Sequence, residues 1–168
     1  LTQAEIEALL AAASMPHIRL AMLLMLSTAG RVGAILELTW DRVDLERAQI
    51  DLRTNPDGPR KGRAVVPINA GLRAALVEAR EGALTDYVVE WAGGPVKSIR
   101  KGIVETARRA GVAGISPHVF RHTAAVHMAA AGVTRDTNAI AIVLSESDGL
   151  VRAFKGGELI LELDPEDY

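Results

Sequence analysis

The 168-residue sequence predicts a mainly α-helical domain with a small β-sheet, an α+β fold. Three observations support this. Capped apolar runs at helical period fill most of the chain, and two alternating segments flank a turn at about 49–68. No repeat, low-complexity tract or Pro/Ser-rich linker divides the chain, which therefore reads as one domain. Apolar residues make up 49% and charged residues 24%, the balance of a globular protein. Cysteine is absent, excluding a disulfide scaffold, a thiolate metal site and a cysteine nucleophile. Six aromatics are too few for a base-stacking platform. The longest apolar stretch, Leu20 to Leu26, is too short to span a bilayer, and a cytoplasmic domain is the expectation.

Each element has a local reason. Thr2-Gln3-Ala4-Glu5 has capping-box spacing, and Ile6, Leu9, Leu10 and Ala13 follow at helical period. Pro16 suits the first turn of a second helix, which runs through the apolar stretch to about Gly30. A short third helix is expected over 32–38. Gln49 to Arg53 alternates as a strand, Asn55-Pro56-Asp57-Gly58-Pro59 turns the chain, and Arg63 to Ile68 returns, with Lys61 near the tip. Helices are expected at about 70–81 and 96–110, the latter closed by Gly111. Ser116-Pro117 opens another, predicted to stop at Gly132 after about Ala131. Beyond it, Thr137 to Leu144 reads as a helix and Glu158 to Leu163 as a strand.

Charge is unevenly distributed. The net charge is −2, yet residues 1–135 hold 17 Lys and Arg against 13 Asp and Glu, while residues 136–168 hold 2 against 8. The stretch 91–135 carries Lys97, Arg100, Lys101, Arg108, Arg109, Arg121 and Arg135 against Glu105 alone. Local positive density of this kind suits a phosphate backbone, and equally a solvated helix face.

Three windows could carry chemistry. In Ser116-Pro117-His118-Val119-Phe120-Arg121-His122-Thr123, His118 and Arg121 share a face at a helix start, where free N–H groups and the dipole already favour an anion. His118 and His122 have the spacing of a zinc pair, but no third ligand or Glu accompanies them, and no metal is expected. In Ser27-Thr28-Ala29-Gly30-Arg31, an Arg leaves a buried helix and needs an anion, whether a ligand or a carboxylate such as Glu37. Lys61, on the hairpin tip, can reach into a groove.

Taken together these windows resemble the tyrosine recombinases of the phage integrase family. Arg31 followed by Leu36-x-Leu38-x-Trp40-x-x-Val43-Asp44, the hairpin segment Lys61-Gly62-Arg63-Ala64-Val65-Val66-Pro67-Ile68, and Pro117-His118-x-x-Arg121-His122-Thr123 stand in family order over about residues 1–133. The resemblance implies cleavage and religation of double-stranded DNA through a 3′-phosphotyrosyl link, with no cofactor and with tetramers forming on DNA. It implies that Arg31 and Arg121 hold phosphate oxygens, Lys61 protonates the leaving 5′-oxygen, and His118 assists proton transfer. It also implies an N-terminal DNA-clamping domain that is missing from this chain. The alternative is a DNA-binding remnant that does not cut, or, outside the family, a helical interaction domain shielded by its acidic tail.

Two positions depart from the pattern. Ala34 stands where an acid commonly steadies the first Arg, and Leu144-Ser145-Glu146 stands where Leu-Gly-His is expected. The nucleophile's place falls near Phe154, which has no hydroxyl. Three readings of 136–168 stay open: loss of the nucleophile, supply of it by Tyr168 through an insertion or a neighbouring subunit, or foreign sequence.

Overall fold

The computed structural model describes residues 1–53, 65–136, 139–144 and 151–163. Helices α1 (Gln3–Ala12), α2 (Pro16–Thr28), α3 (Val32–Leu36), α4 (Ala70–Glu81), α5 (Arg100–Ala110) and α6 (Pro117–Asp136) build the main body. Strands β1 (Val43–Asp44), β2 (Gln49–Asp51) and β3 (Val65–Pro67) form one antiparallel sheet, and β4 (Glu90–Trp91) pairs with β5 (Gly94–Pro95). A separate antiparallel sheet joins β6 (Ile140–Leu144), β7 (Val151–Lys155) and β8 (Glu158–Leu163) in that order. The α+β expectation is met.

Helix α2 is the hub. Leu20, Ala21, Met22, Leu24 and Met25 are buried along it, and α3, α4 and α6 pack against it. α5 approaches so closely that a Cβ on Gly102 would lie 2.4 Å from Ile18 Cδ1, and any side chain there would have to push Ile18 aside. Phe120 of α6 is fully buried and belongs to the same core. At α1 the capping box forms: Thr2 Oγ1 accepts from Glu5 N, and Glu5 Oε2 accepts from Thr2 N.

Several boundaries move for identifiable reasons. α3 ends at Leu36 rather than 38, because Val88 N donates to Leu38 O and Thr39 bridges Tyr87. α5 begins at Arg100 rather than about 96, since Gly94–Pro95 is taken up by the pairing with β4. Gly132 does not stop α6. The helix continues to Asp136, with Thr134 Oγ1 donating to Ala130 O at 3.1 Å and accepting from Gly157 N at 3.0 Å. The cost of one interior glycine, about 1 kcal/mol, is offset by docking of the sheet on that turn.

Of the helix expected over 137–144, residues 137–138 lie outside the described residues and Ile140–Leu144 is instead strand β6, which pairs with β7 over its whole length. Ile140, Ile142 and Val143 are β-branched and suit a pleated surface, and burial alternates along the strand. β7 turns into β8 through Gly156 and Gly157, both at positive φ (60° and 88°), a two-residue hairpin that L-residues with side chains rarely adopt. The strand predicted at 158–163 is β8.

Candidate DNA-phosphate site

Arg31 is held by a turn that the sequence specifies closely. The hydroxyl of Thr28, itself buried, donates to Leu24 O at 2.6 Å and accepts from Gly30 N at 3.0 Å. Ala29 takes the left-handed conformation (φ 50°), and its N–H closes α2 on Met25 O. That conformation costs a residue with a Cβ about 1–2 kcal/mol. The turn is also packed tight, since a Cβ on Gly30 would sit 2.8 Å from Ile35 Cδ1 and 2.9 Å from Thr28 Oγ1. Arg31 is thereby placed at the N-cap of α3 with its side chain exposed.

Arg121 reaches the same turn from α6. Its Nη1 donates to the Ala29 carbonyl, a contact spanning 92 residues of sequence. Two of the sequence-predicted cations thus converge on four consecutive residues, 28–31. A guanidinium carries five N–H donors, so one bond to Ala29 leaves most of the fork for an anion. The Ala29 carbonyl is a positioning group that the sequence reading did not single out. Its signal was present in the Thr28-Ala29-Gly30 run, but nothing local to that run shows which side chain lies across from it.

Arg31 has no ion-pair partner among the described residues, and Glu37 does not supply one. Exposure removes the desolvation cost that called for a carboxylate. The Glu37 backbone carbonyl instead accepts from Arg42. Ala34, at the position where an acid was looked for, is buried in the core. A carboxylate there would face the interior.

α6 sorts its side chains by face. At about 100° per residue, His118, Arg121, His122 and Ala125 fall within one arc; Arg121 is half-buried and the others are exposed. Phe120, Thr123, Ala124, Ala130 and Thr134 fall on the other side and are buried. His118 occupies the second position of a 20-residue helix, in whose first turn Pro117 has no N–H and Val119 N donates to Ser116 O at 3.0 Å. Lys97, Arg100 and Lys101, at and before the start of α5, are exposed with no ion-pair partner among the described residues.

Lys61 and Tyr168 lie outside the described residues. Phe154, at the counted place of the nucleophile, is on β7 and buried. Its ring meets His127 edge-on at 5.6 Å. His127 is nine residues beyond His118 on α6, about 180° around the helix. Phe154 therefore packs on the face of α6 opposite His118, as a core residue of the C-terminal sheet. Arg152, also buried, pairs with Glu162 at 2.7 Å and donates to Leu1 O at 2.9 Å. That acid of the tail is thus engaged within its own sheet rather than on the basic face at 91–135.

Over 42 residues, a quarter of the chain, the sequence is 79% identical to a diadenylate cyclase of Haloferax volcanii, spanning 16% of that protein. Over 39 residues it is 51% identical to a diadenylate cyclase of Methanocaldococcus jannaschii, spanning 13%. Among solved structures, XerA recombinase superposes with a TM-score of 0.64 at 25% identity, over 83% of this chain and 52% of that one. The lambda integrase catalytic core, 20% identical, shares the fold over 75% of this chain and 80% of the other, with a TM-score of 0.62. This chain thus spans about half of the XerA chain. The model of the phage integrase family matches residues 1–141, and the chain belongs to that family.

Proposed function

We propose that this chain is the catalytic portion of a tyrosine-type site-specific DNA recombinase, acting on duplex DNA in the cytoplasm. The observation that carries the reading is the convergence of Arg31 and Arg121 on the 28–31 turn beside the start of α6. Attack on a phosphodiester builds extra negative charge on the non-bridging oxygens. Fixed cations stabilise that charge more in the transition state than in the ground state. Arg121, braced by the Ala29 carbonyl, and Arg31 hold the phosphate. His118 handles a proton at the same helix end, and Lys61 is the acid for the departing 5′-oxygen. Because the strand is held as an ester on the protein, religation needs no high-energy cofactor. Recombinase relatives are described bound to DNA as dimers and, at a Holliday junction, as a tetramer. The same assembly is proposed here.

A second reading is favoured by one observation: the residue at the counted nucleophile position is Phe154, buried against His127 away from His118. On that reading the chain binds duplex DNA through the phosphate site without cutting it, unless Tyr168 serves. A nicked suicide duplex run on a denaturing gel separates the two, with Arg121→Ala as control. A covalent band that the control loses, mapped to Tyr168, establishes strand cleavage. Retained duplex binding with no band leaves the binding-only reading. Failure to bind any duplex overturns both.

A further inference from the structure

The peptide unit between Ala29 and Gly30 is held at both ends. In a trans peptide the C=O and the N–H share a plane and point in opposite directions, and no cis bond occurs among the described residues. The C=O end accepts from Arg121 Nη1, and the N–H end donates to Thr28 Oγ1 at 3.0 Å. Thr28 Oγ1 in turn donates to Leu24 O at 2.6 Å. The three bonds run head to tail from Arg121 into the core of α2. In such a chain each bond polarises and strengthens the next.

No other group is on hand to take over the work of the hydroxyl. Gly30 is buried, so its N–H loses its acceptor outright if Thr28 Oγ1 is removed. Thr28 is 7% exposed, too buried to reach a phosphate itself. Ala29 stands at φ 50° and ψ 25°, a conformation that disfavours a residue with a Cβ. Bonds, not intrinsic preference, therefore keep the unit in this orientation. Arg121 has no ion-pair partner among the described residues, which leaves the Ala29 carbonyl to set its guanidinium.

We infer that the Thr28 hydroxyl is a positioning group for Arg121. Through the rigid 29–30 peptide it fixes the direction of the carbonyl that orients the guanidinium, and hence the donors left for a DNA phosphate. This rests on the proposed recombinase function and extends its phosphate site to a buried residue that touches no substrate.

The test measures binding of the 168-residue protein to a mixed-sequence duplex, since phosphate contacts carry no sequence information, over about 50–200 mM salt. Thr28→Val keeps the side-chain shape and removes the hydroxyl. It should weaken binding about fivefold and reduce the slope of log affinity against log salt by about 1, as Arg121→Ala does. A merely destabilised chain binds less but keeps its slope, because its folded fraction makes the same phosphate contacts. Thr28→Ser, which retains the hydroxyl, should restore both. In the Arg121→Ala background, Thr28→Val should change affinity by less than about twofold. A parental slope in Thr28→Val, or an equal loss with and without Arg121, overturns the positioning role. Amide NMR of the free protein tests the same link from the other end, without a change at Thr28. Arg121→Ala removes the first donor of the chain and should shift the Gly30 amide proton upfield; an unmoved resonance overturns the link. If the parent binds no duplex, the recombinase reading falls, and the Gly30 resonance alone decides whether Thr28 and Arg121 are coupled.

Discussion

The body formed by α1 to α6 and the sheet formed by β6 to β8 solve the burial problem differently. In the body, side chains from all six helices and both hairpin regions close one core, in which Leu9, Met22, Leu24, Ile35, Leu76, Ile103 and Phe120 have almost no exposure. The C-terminal sheet has a single covered face. Phe154 and Arg152 point to α6 and Leu1, while Ile140 (56% exposed), Ile142 (71%), Leu144 (69%) and Leu161 (45%) are open on the other side. Alternation along β6 thus puts apolar residues outward, the reverse of an ordinary half-buried strand.

The comparison can be broken at its strongest point first. Phe120→Ala should cost about 3–5 kcal/mol, because a fully buried ring at the α2–α6 contact is removed. Chemical denaturation should show one cooperative loss that includes the turn at 28–31. An unfolding midpoint within error of the parent would deny that α6 is part of the body's core.

Arg152→Ala should cost about 3 kcal/mol, since it leaves Glu162 half-buried without its cation and removes the bond to Leu1 O. The loss should be local. Amide exchange would rise across 139–144 and 151–163 while α2 and α3 keep their protection. Uniform loss of protection would mean that the two regions unfold as one.

Ile142→Lys should be nearly neutral, within about 0.5 kcal/mol, because the residue is exposed on the open face. Its sheet neighbour Ala153 leaves room for a longer side chain. A destabilisation measured by thermal melting at several times that figure would show that the face is covered in solution.

The fold was legible where local chemistry decides it. The capping box at Thr2, Pro at the start of α2 and α6, Asn69 capping α4 through Leu72 N, and Gly111 closing α5 at φ 72° all act within one turn of helix. The site was legible as residue types in order. Arg31, His118 and Arg121 stand in motifs that resemble the family's, whereas the Ala29 carbonyl that braces Arg121 stands in none, because that bond joins residues 92 apart. The stretch 140–144 differs from the helix expected there for the same kind of reason. Ile-Ala-Ile-Val-Leu is short and apolar, and its periodicity alone cannot separate strand from helix; its pairing with Val151–Lys155 does.

By itself, the sequence determined the starts of α1, α2 and α6, the stop of α5, the family motifs and the cationic residue types, since these depend on dihedral preference, capping and charge carried by neighbours in the chain. Only the tertiary structure decided that Arg121 reaches the turn just before Arg31 and that Phe154 lies on the far face of α6. Both are contacts between distant segments, fixed by which surfaces of α2, α6 and the C-terminal sheet can be buried together.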